Sequence, residues 1–238
     1  ERNVTSEYFS FTTPDEEYNV MNKIRNIENA SFLLGNADFA LGIVTGNNKE
    51  YISDAKTNKN EMVLKGADIS KYHINPTTNY IFFKPESFQQ IAPTEMYRAQ
   101  EKLLYRFISS QLVFAYDDKQ TLSLNSCNIV IPRIPGIKMK YVLAILNSRI
   151  AQFIYKREFN SVKVLRSHIE NIPIPVVDES TQDIIITVTD KLIAGLKLKE
   201  AESVYDELDT LIAEVFNLNS SEIEIIKKAV DGENKFLA

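Results

Sequence analysis

Apolar positions recur along this chain with two periods, three-to-four and two, and the places where one gives way to the other outline its elements. Tyr18, Met21, Ile24 and Ile27, with Val20 beside them, predict a helix over about 14–29, with Pro14 suited to its first turn. The following FALGIVTGNNKEYI alternates on both sides of Thr45-Gly46-Asn47-Asn48 and predicts a strand, a tight polar loop and a second strand. EMVLKGADISKY predicts a short strand, then Gly66 and a turn or helical start at Asp68, before another strand over 79–84. EKLLYRFIS, QLVFAYDD and LSLNSCNIVI are rich in β-branched and aromatic residues and separated by polar turns, which predicts an antiparallel or mixed sheet. Even offsets along a strand share one face, so Arg98, Lys102 and Arg106 are expected along one side of that sheet.

The longer period returns at residue 138. Val142, Leu143, Leu146, Ile150, Phe153 and Ile154 give one long helix an apolar face, around which stand Lys138, Lys140, Arg149, Lys156 and Arg157. The closely spaced prolines of IPIPVV then end the compact part, because they continue neither a helix nor a central strand. Ile184, Ile185, Val188, Leu192 and Leu196 predict a helix over 180–200, and Leu208, Leu211, Ile212 and Val215 one over 202–216. Ser221-x-x-Glu224 reads as the capping box of a last helix. The expected organisation is an α+β domain over 1–176, built on a mixed or antiparallel sheet with a long basic helix. A helical segment over 177–238 follows it, as a clamp, a coupling arm or a dimerisation surface.

Composition narrows the class. With 238 residues, 44% of them hydrophobic, the chain can bury a sizeable core. A single cysteine, Cys127, makes no internal disulfide, and with only His73 and His168 beside it there is no plausible zinc cluster. No apolar run reaches bilayer-crossing length and no charged-then-apolar leader opens the chain, so the cytoplasm is the expected compartment. The first residue is Glu1 and not Met, which suggests a piece of a longer protein.

Charge changes the picture more. The net charge is −5, yet residues 1–94 carry −3, residues 95–168 carry +7 and residues 169–238 carry −9. From Arg133 to His168 there are eight Lys or Arg against one acid, Glu158. Basic residues often flank an apolar stripe only to keep a helix solvated. An ordinary exposed helix mixes both signs, however, so the near absence of acids favours a surface that contacts phosphates. Lys163 and Arg166 extend that surface. The loop of Thr45, Asn47, Asn48 and Lys49 offers donors, acceptors and one charge, and reads either as a base-reading loop or as a hairpin turn without a ligand.

Catalytic chemistry is not expected. An adenine methyltransferase needs an Asn/Asp-Pro-Pro-Tyr/Phe loop for the flipped base, and Asn75-Pro76-Thr77-Thr78 lacks the second proline and the aromatic ring. No glycine-rich cofactor turn or P-loop spacing occurs. Asp38 with Asp54-Ala55-Lys56 has only the loose outline of a metal-dependent nuclease site. Asp117-Asp118 reads as a turn, His168 as a surface or hinge residue and Cys127 as a small buried side chain. No catalytic residue, metal or cofactor is therefore expected in this chain.

GIVTGNNKEYI, LKGADISKY, EKLLYRFIS, LNSRIAQFIYKRE, NIPIP and ELDTLIAEVFNLNSSEIEII follow one another in an order that resembles the TaqI-like C-terminal specificity domain of restriction-modification enzymes. The resemblance runs from about Asn36 to Val230, and the chain departs from it in a short, proline-poor segment between Lys71 and Tyr97. It implies a DNA target-recognition domain acting on double-stranded DNA. It also implies a neighbouring methyltransferase domain in the same parent chain, which transfers a methyl group to adenine N6 from S-adenosylmethionine, with or without an endonuclease. Phosphate contacts are expected from Lys138, Lys140, Lys156, Arg157, Lys163 and Arg166. Base contacts are expected from Arg106 and the Asn47-Asn48 loop. The competing reading is an interaction module whose acidic helices dimerise and whose basic face binds an acidic protein.

Overall fold

The computed structural model describes residues 15–159 and 161–230. Helix α1 (Asp15–Arg25) turns Val20, Met21 and Ile24 inward, while Tyr18 stays 46% exposed; Pro14 lies outside the described residues. The strands that follow are β1 (Ala30–Ser31), β2 (Ala37–Ala40), β3 (Ile52–Ser53), β4 (Glu61–Leu64) and β5 (Tyr80–Ile81), with a helical turn α2 (Asn48–Tyr51) before β3. After a further turn, α3 (Thr94–Tyr97), come β6 (Lys102–Arg106), β7 (Phe114–Asp117), β8 (Leu122–Ser123) and β9 (Cys127–Pro132). The rest is α4 (Met139–Asn147), α5 (Arg149–Glu158), α6 (Arg166–Glu170), β10 (Ile174–Pro175), α7 (Glu179–Ile193), α8 (Leu198–Val215) and α9 (Ser220–Val230).

Three sheets result. The central one is antiparallel, in the order β2-β9-β6-β7; a smaller one runs β3-β5-β4-β8, with β4 and β8 parallel; β1 pairs with β10. The expected α+β class with a mixed or antiparallel sheet is what the molecule has. Period-two alternation explains why the central sheet is buried on both faces. Leu103 and Tyr105 of β6, Phe114 of β7 and Val130 of β9 join the apolar cluster beneath the helices. Leu104, Ala115, Ile129 and Ile131 join the cluster shared with the smaller sheet. The layers are therefore helices, central sheet and small sheet.

One expected element is corrected. The long basic helix is two helices, broken where Ser148 takes extended backbone, closes α4 and caps α5 by accepting from the Ala151 amide at 3.1 Å. Tyr141 to Asn147 are buried all round, because α4 lies between the sheet and α7. The α9 cap also sits earlier than Ser221-x-x-Glu224. Asn219 Oδ1 accepts from the Glu222 amide at 3.0 Å, and Glu222 Oε2 accepts from the Asn219 amide at 2.8 Å. The last three helices join the same apolar cluster as α4 and α5 through Val188, Leu192, Tyr205, Leu208, Ile212 and Ile226.

Side chains finish the outer edge of β7. Asn147 Nδ2 donates to Phe114 O and its Oδ1 accepts from Phe114 N, both at 2.9 Å, and Gln152 Oε1 accepts from Leu112 N at 2.8 Å. The Tyr72 backbone adds bonds to Phe114 O and from Tyr116 N.

Candidate nucleic-acid interface

The basic row from Arg133 to His168 meets its acids from other parts of the chain. Arg133 pairs with Asp38, Lys138 with Glu179 and Asp183, Lys140 with Asp190, and Arg149 with Asp206 and Asp209. Arg157 pairs with Glu17 at 2.6 Å and Arg166 with Glu170 at 2.6 Å. Lys156 donates to the Ala229 carbonyl at 3.2 Å. Helices α7 and α8 supply the partners of Lys138, Lys140 and Arg149, α1 supplies that of Arg157, and Asp38 of β2 that of Arg133. The cations of this segment thus meet acids of the chain at positions that range from exposed, as at Arg166, to mostly buried, as at Arg149.

The row of Arg98, Lys102 and Arg106 is dispersed as well. Lys102 is fully buried, with Nζ 2.5 Å from Asp117 Oδ2 and 2.8 Å from the Tyr97 carbonyl, so it cannot touch DNA. Burial holds its ammonium pKa below the usual range, against the pull of Asp117. Asp117 is further held by the Thr121 hydroxyl at 2.8 Å and the Thr121 amide at 2.9 Å. Arg98 lies before the strand, forked onto Glu61 at 2.7 and 2.8 Å and stacked on Phe83. Arg106, at the end of β6, places Nη2 2.6 Å from the Ile69 carbonyl and has no carboxylate partner among the described residues. The three do not share one open face, because only Lys102 and Arg106 are in the strand and Lys102 points into the core.

Around the small sheet the cations behave differently. Lys49, Lys56 and Lys59 are exposed, and among the described residues no carboxylate pairs with them. Gly46, at φ +83°, makes the turn that brings the chain from the bridge at Val44 into α2. The expected second strand after that loop begins only at Ile52, after a helical turn. Thr45 is buried and donates its hydroxyl to Asn48 Oδ1 at 2.6 Å, so it positions the loop; Asn47, Asn48 and Lys49 face solvent. Residues 53–60 form a loop supported by its own bonds, Thr57 amide to Asn60 Oδ1 at 2.7 Å and Asn60 Nδ2 to the Ala55 carbonyl at 2.9 Å. Between these loops an open cleft is lined by Asn48, Lys49, Ser53, Asp54, Lys65 and Asn79. Lys65 Nζ donates to Asn79 Oδ1 at 2.6 Å, and Asn79 donates to Asp68 at 3.1 Å.

The rim continues away from Lys65 through close backbone contacts. Gly66 donates its amide to Ser126 Oγ at 3.0 Å, and a Cβ at Gly66 would stand 2.5 Å from the Ser126 carbonyl. The same carbonyl accepts from the Phe107 amide, Phe107 O accepts from Val164 N at 2.8 Å, and Val162 O accepts from Ser109 N at 2.9 Å. Residues 107–109 and 162–164 thus form a short antiparallel ribbon with Ile108 opposite Lys163. Ile108 and Val162 are 56% and 66% exposed, and Lys163 has no carboxylate partner among the described residues. At the ribbon's foot His168, expected as a surface or hinge residue, is buried within α6. It stacks on Phe159 at 4.3 Å, and its Nδ1 accepts from the Leu165 amide.

The polar run SDAKTNKN carries a sequence signal for Lys56 and Lys59: eight residues with one small apolar side chain cannot be core. The ribbon is a long-range pairing and left none. Among the described residues no three or more His, Cys, Asp or Glu are placed to hold a metal ion, and no helix is long and apolar enough to cross a membrane. Asp38 is taken by Arg133, and Cys127 is a buried free thiol whose pKa burial pushes up.

Residues 61–174 match the family model of the TaqI-like C-terminal specificity domain. No curated protein matches the chain. Among solved structures, the type IIL restriction-modification enzyme MmeI, determined in complex with DNA, aligns with TM-score 0.54 at 10% identity over 82% of this chain and 36% of its own. The type IIG restriction endonuclease BpuSI aligns with TM-score 0.56 at 13% identity over 91% of this chain and 32% of its own. The fold is shared, and the chain spans about a third of the length of each.

Proposed function

We propose that this chain, whose residues 61–174 are those of a TaqI-like specificity domain, recognises a sequence in duplex DNA on behalf of a restriction-modification enzyme. In the parent protein it positions a separate adenine-N6 methyltransferase domain, which holds S-adenosylmethionine, and in a combined enzyme an endonuclease as well. The observation that carries this reading is the contrast between two sets of cations. Lys138, Lys140, Arg149 and Arg157 are paired with acids of the chain, whereas among the described residues Lys49, Lys56, Lys59 and Lys163 stand exposed without a carboxylate partner. Phosphates fall to these lysines and base edges to Asn47 and Asn48, whose amides match the donor and acceptor pair of adenine in the major groove.

The test is a fluorescence anisotropy titration of duplex DNA over a salt series. Each phosphate contact contributes about 0.9 to the slope of log affinity against log salt. Replacing Lys49, Lys56, Lys59 and Lys163 together by Ala is expected to flatten that slope by roughly three to four. Replacing Lys138, Lys140 and Arg157 by Ala is expected to leave it unchanged. The opposite result would return the interface to α4 and α5. Binding that ignores salt in every protein favours the interaction-module reading, in which the partner is an acidic protein.

A further inference from the structure

We infer that the ribbon of residues 107–109 and 162–164 enters the major groove, where Ile108 contacts the C5-methyl group of a thymine. This rests on the DNA-recognition reading and names which residue would read part of the target. Three observations support it. Ile108 is more than half exposed and joins no apolar cluster among the described residues; it shares its face of the ribbon with Lys163, its cross-strand partner, while Val162 points to the other face. The ribbon is held by backbone bonds on both sides, Ser109 to Val162 and Val164 to Phe107, and Ser161 is fixed at its base by the Tyr155 hydroxyl at 2.7 Å. Its apolar residues therefore hold a set position without a ligand.

Width and charge choose the occupant. Two paired strands lie about 4.8 Å apart, and the major groove, about 12 Å wide, admits a two-stranded ribbon. Lys163, opposite Ile108, is unmatched by acid, which suits a phosphate at the groove's edge and does not suit burial against an apolar protein surface. The ribbon is joined through Ser126 and Gly66 to Lys65, which lines the cleft. The thymine methyl is the apolar feature that the major groove displays, and β-branched side chains are the shape that packs on it.

The experiment uses the full-length parent protein. Its site is first selected from a randomised duplex library, and each thymine of that site is then replaced singly by uracil, which removes only the C5-methyl. Affinity is expected to fall about fourfold at one or two positions, the factor that corresponds to one buried methyl-sized group. Ile108→Ala should bring the thymine-to-uracil ratio at one of those positions close to one, with thermal unfolding unchanged because the site is exposed. Val162→Ala, on the other face, should leave the ratio intact, and Lys163→Ala should weaken every duplex alike and leave it intact too. A site that is bound specifically but shows no uracil effect, or that contains no thymine, overturns the inference and leaves DNA recognition standing. A ratio that survives Ile108→Ala, or that Val162→Ala abolishes, also overturns it. A library that yields no enriched sequence overturns the DNA-recognition reading, and the inference with it.

Discussion

His168 shows how one buried side chain ties stability to pH. Burial holds its imidazole pKa below the ordinary value, and its Nδ1 accepts the Leu165 amide, an arrangement that only the unprotonated ring can keep. As pH falls through about 6.5 the unfolded chain takes up the proton first, so the unfolded state gains and the folded state loses. The contribution is complete above that pH and is lost progressively below it, until the folded ring titrates too. Urea unfolding at pH 7.5 and 5.5 is expected to show a lower midpoint for the wild type at the acid end. The shift should be smaller for His168→Asn, whose amide oxygen can still accept the Leu165 bond. Equal shifts in both proteins would show that the ring is not the cause. Because Leu165 leads directly from the ribbon, acid should loosen the ribbon's foot as well.

At the scale of elements, the ion pairs between helices are unequal in a way that burial decides. Lys138 and Lys140 meet α7 carboxylates at exposed or half-exposed positions, where water screens the pair and leaves it little to add. Arg149 of α5 reaches Asp209 of α8 at 2.6 Å and also lies over the Tyr205 ring. Asp209 is buried, and burial raises its carboxyl pKa against the opposing pull of Arg149. Arg149→Ala leaves that carboxylate without its guanidinium and is expected to cost about 3–5 kcal/mol at neutral pH. The loss should shrink toward acid pH, as Asp209 accepts a proton and escapes the penalty. Lys138→Ala and Lys140→Ala should each change the unfolding midpoint little. Equal losses in all three variants would mean that burial does not set the strength of these pairs. The strands around Leu103 to Arg106 and the three tail helices were legible in the sequence because their apolar periods follow from local geometry. The pairing was not legible: Lys140 and Asp190 lie 50 residues apart and Arg149 and Asp209 lie 60 apart, and no local pattern links them. The break at Ser148 did have a local signal, a serine able to cap the turn that follows.

Over the whole molecule, the segment charges of −3, +7 and −9 describe an assembly plan more than a ligand. Helices α7 and α8 of the negative tail lie against the positive middle, and among the described residues exposed lysines without a carboxylate partner stand on the small sheet and the ribbon as well as at Lys197, Lys199 and Lys228 of the tail. The candidate interface was thus half visible in sequence. The Asn47-Asn48-Lys49 loop could be found from its residues, whereas the ribbon required Ile108 and Lys163 to meet although they lie 55 residues apart in the chain. The finished edge of β7 has a consequence for how molecules meet one another. An open strand edge is a template on which a second chain can add a strand, and concentrated proteins aggregate along such edges. Here the amides of Asn147 and Gln152 occupy the positions a neighbouring strand would use, so the central sheet cannot grow from that side. Gln152→Ala leaves the buried Leu112 amide without its acceptor and is expected to cost about 1–3 kcal/mol in urea unfolding, with no gain in self-association, because the Tyr72 backbone still covers Phe114 and Tyr116. Light scattering that rises with concentration in this variant would show that the side-chain amides, and not Tyr72, keep a second copy off that edge.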